Sequence, residues 1–203
     1  MLLRQSRRAA LNPPSLNAVG SRLVRVIALA ALLPSCAVVV SDKPIGAEAL
    51  SIEAEDWEGT WWHTDGAIEI IVADAAKGIL RLAWVEKTQN EAQLEIVDVL
   101  LRRTGDWSFA SYLVPGEGEP GPGYYFARVR NEDDIILAWP PDPARFKKLV
   151  EDGKLPGTLE GKERDTVQLQ ALKLEHLELM ASEREGVLFG WETPIVLHRI
   201  SAD

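Results

Sequence analysis

The stretch WEGTWWHTDGAIEIIVADAAKGILRLAWVEK, residues 57–87, decides the fold class of this chain. Apolar and polar residues alternate through much of it, and alternation with a period of two is typical of strands that are buried on one face. Asp65-Gly66 separates two of the apolar runs and is a strong signal for a tight hairpin. AAKG, residues 75–78, is a second turn signal. The stretch therefore predicts three consecutive antiparallel strands.

The strand pattern continues towards the C-terminus, in QLEIVDVLLRRT, WSFASYLV, YYFARVRN, DIILAWP, DTVQLQAL and TPIVLHRI. Residues 115–123, PGEGEPGPG, predict a loop because four glycines and three prolines cannot stay in a sheet ladder. Short strands at close spacing favour an antiparallel barrel over βαβ units. We therefore expect a mainly β, α+β fold of about eight strands, either a closed barrel or an open curled sheet.

Two helices are predicted late in the chain. Asp142 is a favourable N-cap and Pro143 follows it at the first helical position. Apolar residues at helical spacing come next, and Gly153 ends this helix. Residues 175–184, EHLELMASER, predict a second helix with one apolar face. Both helices should cover one end or one face of the sheet.

Gly59-x-Trp61 in the first strand resembles the opening Gly-x-Trp of lipocalins and related small barrels. In lipocalins this tryptophan plugs one end of the barrel and an arginine from a late strand lies across it. The resemblance implies a lipocalin-like barrel in which Arg199 contacts Trp61 by a cation–π interaction. With these two residues, Trp84 and Trp107 are the candidates for a ligand pocket or a barrel plug. Alternatively, the seven tryptophans of the chain simply fill the core.

The N-terminal segment predicts where the protein is located. The first 35 residues contain five arginines and no acid, and VIALAALL at residues 26–33 is too short to span a bilayer. Leu33-Pro34-Ser35-Cys36 resembles the lipobox of bacterial lipoproteins. The resemblance implies cleavage before Cys36 and attachment of acyl chains such as palmitate there. Ala37, where an Asp would favour inner-membrane retention, then favours the outer membrane of the bacterial envelope.

A plain secretory signal or an uncleaved anchor is the alternative for this segment.

The run LFGWETPIVLHRI, residues 188–200, also resembles the C-terminal end of an uncharacterised group of bacterial lipoproteins, which carries no assigned activity. We accordingly expect a signal peptide at residues 1–35, a lipidated N-terminus and tether at 36–56, and a single β-rich domain at 57–203.

Charge and cysteine content narrow the range of partners. Residues 36–203 contain 17 basic and 31 acidic residues, a net charge of −14 with neutral histidines. Such a surface repels phosphates and argues against nucleic acid as a partner. Cys36 is the only cysteine, so no disulfide can stabilise the domain. We expect a monomer held to the membrane by its lipid.

No catalytic pattern stands out. The chain lacks G-x-S-x-G, P-loop, H-E-x-x-H and dinucleotide-binding motifs. His63, His176 and His198 share no ligand spacing, so neither a metal nor a cofactor is expected. The first hypothesis is a non-catalytic barrel that binds an apolar or lipid-like molecule. The second is an interaction or inhibitor protein with a filled core and no small ligand, for example one directed at a cationic lysozyme that the negative surface would attract.

Overall fold

The computed structural model describes residues 37–87, 91–115, 122–161 and 165–200. In chain order the strands are β1 (Val38–Ser41), β2 (Glu48–Ala49), β3 (Gly59–His63), β4 (Gly66–Asp74), β5 (Ile79–Lys87), β6 (Ala92–Thr104), β7 (Trp107–Val114), β8 (Gly123–Glu132), β9 (Ile135–Trp139), β10 (Gly157–Glu160), β11 (Thr166–Leu169) and β12 (Ile195–Arg199). The helices are α1 (Ala54–Trp57), α2 (Pro143–Glu151) and α3 (Leu174–Ser182).

Eight of these strands form a closed antiparallel barrel. Their hydrogen-bonded order is β8-β7-β6-β5-β4-β3-β12-β9, and β9 pairs with β8 to close the ring. The predicted mainly β, antiparallel fold is therefore confirmed, and the closed barrel is realised rather than the open sheet. Closure leaves no free edge within the ring. The arrangement is consistent with a lipocalin-like barrel.

A short arm of sheet extends from the barrel at β8. Strand β1 pairs with β8 and runs parallel to β11, which in turn pairs with β10. Helix α2 packs against these three strands of the arm. Its N-terminus is capped as predicted, because the carboxylate of Asp142 accepts hydrogen bonds from the backbone N–H groups of Ala144 and Arg145. The predicted second helix corresponds to α3, and α1 adds a single further turn.

The apolar side chains form two separate cores. One fills the barrel and contains Trp61, Ile70, Leu80 and Leu101, all almost fully buried. The other lies between the outer wall of the barrel and the covering arm and helices, around a cluster of phenylalanines (Phe109, Phe126, Phe146 and Phe189). Strands β7 and β8 separate the two cores, so both of their faces are covered. Among the described residues, no helix has the length and apolarity needed to cross a membrane.

The structure corrects the expectation of a tether at residues 36–56. From Val38 onward this segment belongs to the folded domain: β1 lies inside the sheet, β2 pairs with β6, and Ile45 is fully buried. Gly46, at φ +120°, lets the backbone approach β6, because a Cβ there would lie 2.5 Å from the Cβ of Arg102. The segment lacks a periodic apolar pattern because its buried residues are the consecutive ones of β1 and a few isolated ones, such as Ile45 and Ile52. Only Ala37 separates Cys36 from β1.

Candidate functional site

One end of the barrel is closed by Trp61, Arg199 and helix α1, and we call it the plugged end. Trp61 is fully buried, and Arg199 is its register partner on β12. The guanidinium carbon of Arg199 lies 4.4 Å from the centre of the Trp61 ring, within cation–π range. The Nε1–H of Trp61 donates a hydrogen bond of 3.0 Å to the carbonyl of Trp57.

The Arg199 guanidinium also caps α1. Its N–H groups donate hydrogen bonds to the carbonyls of Glu55, Asp56 and Glu58, at 3.1, 2.6 and 2.6 Å. The last carbonyls of a helix have no partner within the helix, so a cation at this position satisfies them and complements the helix dipole. Trp61 and Arg199 therefore lie in the plug of the barrel.

The opposite end of the barrel, the distal end, contains Trp84 and two tyrosines. Register pairs show which side chains face the interior. One row runs Trp61, Ile68, Trp84 and Glu95, and another runs Val72, Leu80, Val99, Tyr112 and Tyr125. Near the plug, the row members other than Val72 are buried, whereas Trp84, Tyr112 and Tyr125 are only partly buried. Side-chain burial along these rows thus decreases from the plugged end towards the distal end.

The distal end also carries polar groups among its aromatic side chains. The Nε1–H of Trp84 is buried and has no hydrogen-bond partner in the described part of the chain. The rings of Tyr112 and Tyr125 stack with their centres 5.7 Å apart. Burial raises the pKa of both phenols above the usual value of 10.0. The inward-facing register of β5 also places Glu86 at this rim.

Trp107 lies elsewhere, so the structure does not bring the four sequence candidates together. It lines an open cleft of about 860 Å³ on the outside of the plugged end. The cleft is bounded by residues 50–53, residues 106–108 and residues 129–133, with Asp56 and Trp57 from α1 at its base. Trp61 and Arg199 thus lie at the plug, Trp84 lies inside the distal end, and Trp107 is external.

Sequence reasoning missed a buried arginine, Arg128. Its side chain is fully buried on the outer wall of β8, and its guanidinium carbon lies 4.0 Å from the ring centre of Trp107 and 4.5 Å from that of Phe189. It donates hydrogen bonds to Glu183 and to the carbonyl of Met180, at 2.6 and 2.8 Å. Burial lowers the pKa of this guanidinium, against the opposing effect of Glu183. Arg128 thereby fixes the end of α3 to the barrel.

The histidines do not converge. His63 follows Trp61 on the inward-facing side of β3, whereas His198 pairs with Trp62 and lies on the exposed outer side. His176 accepts a hydrogen bond from the backbone N–H of Lys173 at the start of α3. Over the described ranges, no three His, Cys, Asp or Glu side chains are grouped as metal ligands.

Cys36 and the signal segment lie outside the described residues, as do residues 116–121 of the predicted loop. Comparisons of the chain with protein-family models, with curated proteins and with solved structures found no match.

Proposed function

We propose that this chain is a non-catalytic lipoprotein of the bacterial envelope whose barrel binds an apolar, lipid-like molecule at its distal end. The observation that carries this proposal is the buried Nε1–H of Trp84, which has no partner within the described ranges and lies among partly exposed aromatic side chains. A buried donor without an acceptor costs about 1–3 kcal/mol. A ligand oxygen placed there would recover that cost.

The surroundings of Trp84 define the chemistry of the ligand. Leu82 and Val97 are register partners beside Trp84, pack against the barrel core and would supply apolar contact for an acyl chain. Glu86 and Glu95 share the inward-facing register at the rim and would repel an anionic head group. An uncharged lipid with hydroxyl or ester oxygens fits this combination better than a fatty acid does.

The predicted lipid on Cys36 would set the position of the barrel. Only Ala37 separates this cysteine from β1, so the domain would be held close to the membrane, within reach of lipid molecules. Cys36→Ser should abolish incorporation of radioactive palmitate into the protein in the bacterium. Continued labelling of this variant would remove lipid anchorage from the proposal.

A ligand titration tests the barrel itself. We expect 1-oleoylglycerol to change the tryptophan fluorescence of the full-length protein saturably. Trp84→Phe keeps an aromatic ring and removes the N–H, so it should weaken binding about fivefold, the value of one net hydrogen bond.

Trp62→Phe is the matched control, because Trp62 points outward and is 49% exposed. It should leave the affinity unchanged. The absence of saturable binding by the unaltered protein, or equal affinities for Trp84→Phe and the parent, would contradict ligand binding at the distal end.

A specific feature favours protein interaction as the second candidate function. The outer faces of β3, β5 and β6 carry a row of exposed apolar side chains, namely Trp62, Val85, Leu94 and Ile96, of which the last three are 62, 60 and 55% exposed. Exposed apolar clusters of this kind mark interaction sites. Leu94→Lys combined with Ile96→Lys should abolish capture of an envelope partner by crosslinking while 1-oleoylglycerol binding persists. Unaltered crosslinking would exclude this surface as the protein-interaction site.

A further inference from the structure

One side of the barrel wall is both uncovered and apolar. It is the outer face of β3, β4, β5 and residues 92–98 of β6, and we call it the bare face. Its side chains come between the inward-facing residues of each strand, so they point away from the barrel core. Nine large apolar side chains are exposed in the described part of the chain, and five of them lie on this face, namely Trp62, Ile71, Val85, Leu94 and Ile96. They form one patch rather than scattered exposed residues.

The register of the strands makes this patch continuous. Trp62 on β3 pairs with Ala67 on β4, and Val85 on β5 pairs with Leu94 on β6. Small and large side chains therefore lie side by side across the strands. A second sheet with the same relief can interdigitate with such a surface when the two sheets pack face to face.

The bare face carries no net charge. Within its strands the outward-facing acidic residues are Glu69 and Asp98, and the basic ones are Arg81 and Lys87. Arg81 and Asp98 form a salt bridge at 2.8 Å, and Glu69 accepts a hydrogen bond of 2.7 Å from Oγ1 of Thr60. The net charge of −14 that remains beyond the signal segment therefore belongs to other surfaces. Two copies of the chain would repel each other through those surfaces but not through this one.

The bare face lies across the barrel from the strand that carries the N-terminus of the domain. In the ring of eight strands, β4 is four strands away from β8 in either direction. Strand β1 pairs with β8, and the arm and α2 lie on that same side. A lipid attached just before β1 would therefore hold the opposite side of the barrel to the membrane, and the membrane would not cover the bare face.

The size of the bare face is close to that of one side of a protein interface. Four strands about 4.8 Å apart and about seven residues at about 3.4 Å each give a face of roughly 19 by 24 Å. Its accessible area exceeds this projection because large side chains protrude from it. Stable interfaces bury about 800 Å² on each partner. A second sheet of the same size would cover the patch.

We infer that the bare face binds the bare face of a second copy of this chain and forms a two-fold symmetric dimer. A second copy offers the same apolar side chains, the same lack of net charge and the same area, as a two-fold interface requires. Burial of apolar surface drives the association. The inference names the partner for the second candidate function and rests on it. It departs from the monomer expected from the sequence, because the charge that opposes association is absent from this face.

The test is sedimentation equilibrium of the full-length protein in detergent of matched buoyant density, with micelles in large excess over protein. We expect a reversible dimer that dissociates on dilution. Leu94→Lys combined with Ile96→Lys removes apolar contacts and brings four like charges into the two-fold interface. It should raise the dissociation constant of the dimer at least about 100-fold.

Leu174→Lys combined with Val187→Lys is the matched control. These residues are 56 and 49% exposed, lie on α3 and just after it, and gain the same two charges. This variant should change the dissociation constant less than twofold. Equal weakening by both double variants would show a general effect of charge or of shared micelles and overturn the inference.

A parent protein that stays monomeric at about 100 μM would also overturn it. If that monomer still crosslinks through Leu94 and Ile96 to a different envelope protein, the second candidate function survives and only self-association fails. Binding of 1-oleoylglycerol by the dissociated variant should equal that of the parent. This readout separates a failure of self-association from a failure of the barrel site.

Discussion

Replacement of Arg199 by methionine tests how the barrel is plugged. The side chain of Arg199 is 20% exposed, and its guanidinium is shared between the Trp61 ring and three carbonyls at the end of α1. Methionine keeps an apolar side chain of similar reach but offers neither the charge nor the donors. The end of α1 would then lose its capping partner.

The magnitude follows from the contacts that are lost. Each hydrogen bond from the guanidinium contributes about 0.5–1.5 kcal/mol net, and a cation–π contact adds about 0.5–1 kcal/mol. Water can reach part of this end, so the three hydrogen bonds will not add in full. We expect Arg199→Met to lower the free energy of unfolding by about 3 kcal/mol.

The assay is urea unfolding followed by tryptophan fluorescence, with Arg81→Met as control. Arg81 makes a hydrogen-bonded pair with Asp98 at 2.8 Å, but both side chains are about half exposed. Such a pair contributes less than about 1 kcal/mol. Equal losses for the two variants would refute the argument that Arg199 holds the plug.

Three further predictions concern other parts of the fold. Burial keeps the pKa of Tyr112 above its usual value of 10.0, so the unfolded chain ionises first and the protein loses stability as pH rises above about 10. Tyr112→Phe should reduce this loss when the free energy of unfolding in urea is compared at pH 9 and pH 11. Gly46→Ala should lower the free energy of unfolding by at least about 2 kcal/mol, because β6 occupies the space that the new Cβ needs. Gly153→Ala, at φ +68° with open space around it, should lower it by about 1 kcal/mol. Equal losses would argue against a packed N-terminal segment. Glu183→Gln should destabilise the protein by about 3 kcal/mol, because it leaves the buried charge of Arg128 without its partner, and a loss below 1 kcal/mol in the same assay would contradict this.

Local signals predicted most of the barrel and the capped helix. The alternation in residues 57–87 and the Asp65-Gly66 turn act between neighbours in sequence, and so does the Asp142 cap of α2. Each is a short-range interaction whose energy depends on few other residues. The strands and helices that depend on such signals are therefore readable from one sequence.

Long-range contacts explain what could not be predicted. The alternation in β8 places Phe126 and Arg128 on one face, but it does not reveal that α3 covers this face from 52 residues further along the chain. An arginine on an outer wall therefore looks solvated. Likewise, β1 pairs with β11, more than 120 residues away, and no local pattern in residues 38–41 predicts this pairing.

The candidate site residues also divide into those that the sequence could identify and those whose position depends on long-range contacts. Trp61 and Arg199 were identifiable because a lipocalin-like barrel joins its first and last strands. Trp107 was a sequence candidate for the ligand pocket or the barrel plug, but it lines an external cleft, and that position depends on how residues 50–53 cross the plugged end. From the sequence alone, each acidic turn residue of that cleft is expected to be a solvated loop residue.

The most direct test of the proposed function is native mass spectrometry of the protein purified gently from the bacterial envelope. We predict a reproducible adduct with the mass of an uncharged lipid, which disappears when Trp84 and Tyr112 are replaced together by alanine while circular dichroism still reports a folded barrel. A protein that carries no adduct, and acquires none after incubation with 1-oleoylglycerol, would contradict lipid binding in the barrel.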